Sequence, residues 1–407
     1  MTDGSVNLRQ VVYALSDALD LVGVDDVAHG KRVGIMAAEC GKILHLGKDE
    51  CNFLFELGLL HDIGVSSTRV HKNLVDEFDW EDSQEHADTG CILLGTFAPL
   101  APMAQPVWYH HTRWDRLKAI GVDPRTARRA NLTFLCDRVD VLAAPFYAND
   151  RILEEKDAIR EAVARRAGEY FDPELVAVFH EISRPDHFWR FREPQVIQDY
   201  LHRQLELNRP RLVGIEELKQ LSLIFSRIVD AKSPFTASHS LGVARLSRFF
   251  AERLGVNAPA CDKIEIAGLL HDLGKLRIPD ELLEKPSRLD AGERRIMNTH
   301  ALETYLILRN ISGFGDITRW AAYHHEEPDG SGYPFHVQAS DMPFEARILR
   351  VADIFQAMSQ DRPYRKGWDA DSIADFMAEL SQQGRVDEEV AALACACCHE
   401  AMPVARA

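Results

Sequence analysis

Large apolar residues recur every three or four positions through LRQVVYALSDALDLVG (8–23), KRVGIMAAECGKILHLG (31–47), KIEIAGLLHDLG (263–274) and IADFMAELSQQ (373–383). That spacing lines up one face of an α-helix. Apolar and polar residues hardly ever alternate with a period of two, so the fold is predicted to be all-α.

The same scan shows that the chain is written twice. ELGLLHDIG (56–64) is echoed by IAGLLHDLG (266–274). Around the first copy the order is His29, His61-Asp62, His86, His110-His111 and Asp137. Around the second it is His239, His271-Asp272, His300, His324-His325 and Asp353. The lone histidine precedes the His-Asp pair by 32 residues in both halves, and the single histidine precedes the His-His pair by 24 in both. Ten of the 17 histidines lie on this grid, which points to duplication. Pro210 and Gly214 interrupt the helical pattern within HRQLELNRPRLVGIEEL (202–218). Two helical bundles are therefore expected, over residues 1–208 and 209–407, as suits a chain of 407 residues.

Composition narrows the chemistry. With 46% hydrophobic and 27% charged residues the chain reads as globular, and no apolar run reaches the ~18 residues of a membrane span. MTDGSVNLRQ lacks the basic-then-apolar order of a leader, so a cytoplasmic protein without a membrane partner is expected. A net charge of −16 disfavours a nucleic-acid polymer, which needs a basic footprint. A small anion remains open to a site that carries its own cations. The eight cysteines form no regular framework. Cys395-Ala-Cys-Cys398-His399 matches a haem-attachment spacing but sits in the Ala-rich EEVAALACACCHEAM, which reads as a helix; a zinc site there stays open.

A lone histidine on an apolar helix face is more often a core residue than a ligand. Five histidines and two aspartates recurring in fixed order reverse that, because so many buried polar groups need partners. Imidazole and carboxylate suit first-row metals, and a carboxylate with two oxygens bridges two ions. Seven ligands exceed the need of one ion. A two-metal site is expected, able to hold a hydroxide and neutralise a phosphodiester.

HDLGK (271–275), HHEEPDGSGYP (324–334) and ADIFQAMSQDRPYRK (352–366) together resemble the HD-GYP family, a branch of the HD superfamily of metal-dependent phosphohydrolases. The resemblance is close over about 236–366. It implies tandem HD-type helical bundles, the second of HD-GYP type, and a phosphodiesterase that opens a cyclic dinucleotide to the linear form by a metal-bridging hydroxide. Cyclic di-GMP is the first expectation and 3′3′-cyclic GMP-AMP the second. The alternative is a scaffold that binds the dinucleotide without cleaving it, or a di-iron redox sensor. Carried onto this chain, the pattern implies one metal on His239, His271, Asp272 and Asp353, and a second on His300, His324 and His325, with Asp272 bridging. Iron is expected first, with manganese, zinc or nickel as alternatives. Asp272 and Lys275 would be catalytic, and Lys275, Tyr333, Arg362 and Arg365 would contact the substrate anion. A homodimer and a signalling-protein partner at the GYP loop are further expectations. Phe235 stands where three-metal members carry a glutamate, so two ions are predicted. Gln356 and Glu327-Pro328 also depart from the family pattern.

The first half resembles an HD domain of the same lineage with every ligand position filled: His29, His61, Asp62, His86, His110, His111 and Asp137. Val65 replaces Lys275, RLKAIGVDP replaces GSGYP, and AAPFYANDR follows in place of DRPYR. A metal-holding regulatory or dimerising domain, a phosphohydrolase of other specificity and a metal-free relic all remain open.

Overall fold

The structure, a computed structural model, describes residues 5–23, 28–76, 84–147, 149, 151–232, 238–361 and 366–406. Their backbone is helical almost throughout, as the apolar spacing predicts. Among the described residues the one sheet is a two-residue antiparallel pair, Val6–Asn7 against Leu212–Val213.

The chain divides into two compact units, residues 19–210 and residues 211–407 together with 1–18. The second break falls between Pro210 and Arg211. Residues 5–18 lie with the second half, because they are tied there. Val6 pairs with Val213, the Leu8 N–H donates to the Arg211 carbonyl at 2.8 Å, and Gln10 Nε2 donates to the Asn310 carbonyl at 3.1 Å.

Each unit is built around a matched helix pair that carries the His-Asp motif. In the first these are His29–Ile43 and Lys48–Leu60; in the second, His239–Arg253 and Ala258–Leu270. The paired histidines lie in the turns that follow the short helices Ala104–Trp108 and Gly315–Ala322, and Asp137 and Asp353 ride on the long helices Pro124–Ala143 and Phe344–Ser359.

Local chemistry sets these helix starts. Asp123 caps Pro124–Ala143 by accepting from the Thr126 N–H at 3.0 Å, with proline at the first helical position. Asp290 and Glu293 form a capping box at Ala291–Leu308. The two helices that begin with a ligand histidine are capped from a distance. Asp20 accepts from the Gly30 N–H at 2.9 Å, and Asp230 accepts from the Ser240 N–H at 3.1 Å.

Candidate metal centres

The fold brings the seven second-half positions together. Among the described residues, ligand atoms of His239, His271 and Asp353 lie within 4.8 Å of one another, as do those of His300, His324 and His325. Asp272 stands between these groups with one oxygen toward each. Its Oδ2 is 3.2 Å from His271 Nε2 and 3.8 Å from His239 Nε2, and its Oδ1 is 3.5 Å from His300 Nε2 and 3.7 Å from His324 Nε2. His239 Nε2 is 3.1 Å from Asp353 Oδ1.

The histidines are aimed by one repeated device. The Nδ1–H of His271, His300 and His324 donates to the carbonyl three residues earlier, at Gly268, Met297 and Ala321, over 2.6–2.7 Å. His61 does the same toward Gly58 at 2.7 Å, and His110 toward Val107 at 2.5 Å. A carbonyl only accepts, so the proton sits on Nδ1 and Nε2 presents its lone pair inward.

The carboxylates facing His271 and His29 more than offset burial and raise both above the usual imidazole value, whereas at several other rings burial prevails. It pushes His300 down to about 4 and His86 to about 3, and holds His324, His325 and His111 well below the usual imidazole value. Burial also opposes ionisation of Asp272, but the facing histidines and Lys275 more than offset it and hold that carboxyl well below its usual range. The result is ionised carboxylates facing imidazole nitrogens, a donor set for cations. His61 Nε2, Asp62 Oδ1, His111 Nε2, His271 Nε2 and Asp272 Oδ1 are buried without a hydrogen-bond partner. Such orphans are costly unless something else pairs with them, and divalent ions fit both clusters.

The HHEEPDGSGYP loop is tied down by the two acids that follow the histidines. Glu326, fully buried, accepts from the Phe335 N–H at 2.6 Å and the Val337 N–H at 3.1 Å. Glu327 receives Arg350 at 2.7 Å, Arg385 at 2.9 Å and the Ser331 hydroxyl at 3.0 Å. Gly332 lies so close to the chain that a Cβ there would sit 2.2 Å from the Glu327 nitrogen. Tyr333 stacks on His325, with ring centroids 4.8 Å apart at 27°. Lys275 places its Nζ 2.5 Å from Asp272 Oδ2, on the bridging carboxylate. Arg362 and Arg365 lie outside the described residues, as does Phe235.

The first half repeats the geometry. Asp62 Oδ2 is 3.4 Å from His61 Nε2 and 3.9 Å from His29 Nε2, and Oδ1 is 3.5 Å from His86 Nε2 and 3.7 Å from His110 Nε2. Asp62, His86, His110 and His111 form one potential ligand group, and His29, His61 and Asp137 another. The surroundings differ. His29 Nδ1 is held by Asp140 at 2.7 Å, and Asp140 also receives Arg32 at 2.6 Å and the Tyr147 hydroxyl at 2.7 Å. Arg138 donates to Asp137 Oδ2 at 2.9 Å and to the Leu74 carbonyl at 3.1 Å. In the second half Gly242, Gln356 and Ile354 take the places of Arg32, Asp140 and Arg138. There His239 Nδ1 meets Gln360 Oε1 at 3.2 Å, while Gln356 donates to the Ala405 carbonyl at 3.0 Å.

Sequence reading missed the residues that act through backbone: Asp20 and Asp230, each nine positions before its ligand histidine, and Glu326. The repeated Asp-to-His spacing was the available signal for the first two. Cys395 donates to the Ala374 carbonyl at 3.3 Å, and His399 pairs with Asp371 on the surface at 3.1 Å.

Comparison with known proteins adds the following. An HD domain model matches residues 223–390. The chain is 36% identical over 396 residues to 3′3′-cGAMP-specific phosphodiesterase 1 of Vibrio cholerae, covering 95% of this chain and 90% of that one. It is 34% identical over 425 residues to 3′3′-cGAMP-specific phosphodiesterase 3 of the same organism, with 91% and 90% covered. A cyclic di-GMP phosphodiesterase of Pseudomonas aeruginosa is 35% identical over 173 residues, covering 42% of this chain and 40% of that one. The crystal structure of a cyclic GMP-AMP specific phosphodiesterase of Vibrio cholerae superposes with a TM-score of 0.64 at 26% identity, over 99% of this chain and 98% of that one.

Proposed function

The chain belongs to the HD-GYP family of cyclic-dinucleotide phosphodiesterases, and we propose that its second half is a metal-dependent phosphodiesterase that opens 3′3′-cyclic GMP-AMP to the linear dinucleotide. The observation that carries this is Asp272, which turns one oxygen to His239 and His271 and the other to His300 and His324. Cyclic di-GMP stands first on the motifs alone. Length of match moves cyclic GMP-AMP ahead of it, since two relatives named for cyclic GMP-AMP align with over 90% of the chain, while a third so named and the cited cyclic di-GMP enzyme each align with 42% of it.

His239, His271, Asp272 and Asp353 would hold one ion, and His300, His324 and His325 the other with Asp272. Two such ions supply an acidified water and positive charge for phosphate oxygens. The chain supplies the rest. Lys275, whose side chain is a quarter exposed, brings an ammonium to the mouth for a phosphate oxygen. Glu326 and Glu327 fix the loop that places Tyr333 against His325. Iron as the first metal, a homodimer, a cytoplasmic location and a protein partner at the GYP loop belong to the same reading. Phe335, 38% exposed beside that loop, supports the last of these. Among the described residues no helix is long and apolar enough to cross a membrane.

The first half we read as a metal-holding regulatory domain. Its two nearby guanidinium groups are buried and committed to Asp140 and Asp137. Val65 offers nothing in place of Lys275.

The test is a chromatographic product assay on protein purified without oxygen and loaded with iron or manganese. Each dinucleotide is offered separately to the wild type, Asp272→Asn and Asp62→Asn. The expected result is a linear product that disappears, by about 100-fold or more, only in Asp272→Asn. Dinucleotide binding without any product from fully loaded wild type would replace the enzyme with a binding scaffold.

A further inference from the structure

The first unit contains a second concavity that shares no residue with its metal cluster. It is a hollow of about 430 Å³, within the range of small-molecule sites. Leu54, Leu132 and Leu175 form its floor and belong to the buried core. Leu44, Leu46 and Pro124 line its walls. Leu46 keeps 37% of its surface exposed at the edge, so apolar area is left facing water.

Three guanidinium groups, on Arg125, Arg128 and Arg129, stand at the rim. Glu50 receives Arg129 through two bonds of 2.6 and 2.7 Å and Arg125 through one of 2.5 Å. The Arg129 guanidinium comes first among the groups that hold the Glu50 carboxyl below its usual range. Glu50 thus answers both Arg125 and Arg129, and the Asp123 carboxylate also acts on Arg125. The third guanidinium, on Arg128, reaches only Glu174 at 3.2 Å, with both side chains largely in solvent. An exposed pair of that kind is worth under about 1 kcal/mol, so an incoming acid exchanges for Glu174 at little cost.

We propose that this hollow binds a free anionic amphiphile: one acid group on an unbranched apolar chain of medium length, the acid on Arg128 and the chain against the leucines. The lining selects that chemistry. A cation meets the exposed Arg128 guanidinium, and a polar nucleotide would have to lose water against an apolar wall. The inference is independent of the metal and phosphodiesterase readings.

Isothermal titration of the full-length protein provides the test. Dodecanoate below its micelle concentration is compared with dodecyltrimethylammonium, which keeps the chain and reverses the charge, and with butyrate, which keeps the acid and shortens the chain. Dodecanoate is expected to saturate one site and raise the thermal midpoint, while the other two fail to saturate. Arg128→Glu should weaken dodecanoate at least about fivefold, the equivalent of one lost charge contact of about 1 kcal/mol. Leu46→Trp, a surface change that fills the mouth, should abolish binding. The proposal is overturned by absence of saturable binding to wild type, by equal binding of the ammonium compound, or by unchanged binding in both variants.

Discussion

At Gly274 a methyl group has nowhere to go. A Cβ there would lie 2.1 Å from the His300 carbonyl oxygen, and at the matching Gly64 it would lie 2.0 Å from that of His86. The glycine of each His-Asp-x-Gly motif lets the turn that carries two ligands touch the helix that carries a third. Gly274→Ala is therefore expected to destabilise the second unit by about 2 kcal/mol, as overpacking does. It should also lower metal retention, read by urea unfolding and metal analysis of the same preparation; unchanged values in both would refute the close-approach argument. The clustering of candidate ligands was legible, because ten histidines on a repeated grid point to shared sites, and the fold brings them together. The reason for the glycine was not legible, since spacing along a chain does not reveal which carbonyl will lie opposite. Tyr333 is similar: its letters were conspicuous, but only the fold shows it stacked on His325.

Among the elements, the HHEE segment and the loop after it show how a flexible sequence is made rigid. The two histidines were readable as ligands and the glycines as a bend. Glu327 stood out only as a departure from a family pattern and Glu326 not at all, yet Glu326 holds two backbone N–H groups and Glu327 sits between two guanidinium groups. Arg350 is 5% exposed and also approaches the His324 carbonyl at 3.4 Å. Removing its carboxylate leaves a buried cation without its charge partner, which typically costs 3–5 kcal/mol. Glu327→Ala should accordingly lower the stability of the second unit by about 3 kcal/mol. The Glu327→Gln variant, which keeps the shape and part of the hydrogen bonding, should lose less. Equal losses in the two would show that shape, not charge, anchors the loop. The helix starts taught a related lesson: Asp20 and Asp230 cap helices ten residues further on, beyond the reach of a local capping rule.

The whole molecule is a duplicated donor set with divergent surroundings. Helical periodicity and the repeat sufficed to predict two all-α halves, but not that residues 5–18 join the second, a pairing that depends on a short strand contact across some 200 positions. Divergence has followed a pattern. The first half replaces a lysine at the mouth with Val65 and adds two buried arginines behind the ligands, whereas the second keeps its cation exposed enough to meet a substrate. Orphaned ligand atoms occur in both, so both are expected to hold metal, and only one to hydrolyse the dinucleotide. Chelation of purified protein should then lower its thermal midpoint, because an ion bound only by the folded state stabilises it by about 4 kcal/mol at a thousandfold excess over its dissociation constant. Asp62→Asn should lower the metal content per chain while dinucleotide hydrolysis persists. Asp272→Asn should lower it too, with hydrolysis lost. If Asp62→Asn leaves the metal content unchanged, the first half holds no ion despite its complete ligand set, and its buried imidazoles must then be satisfied by some other group.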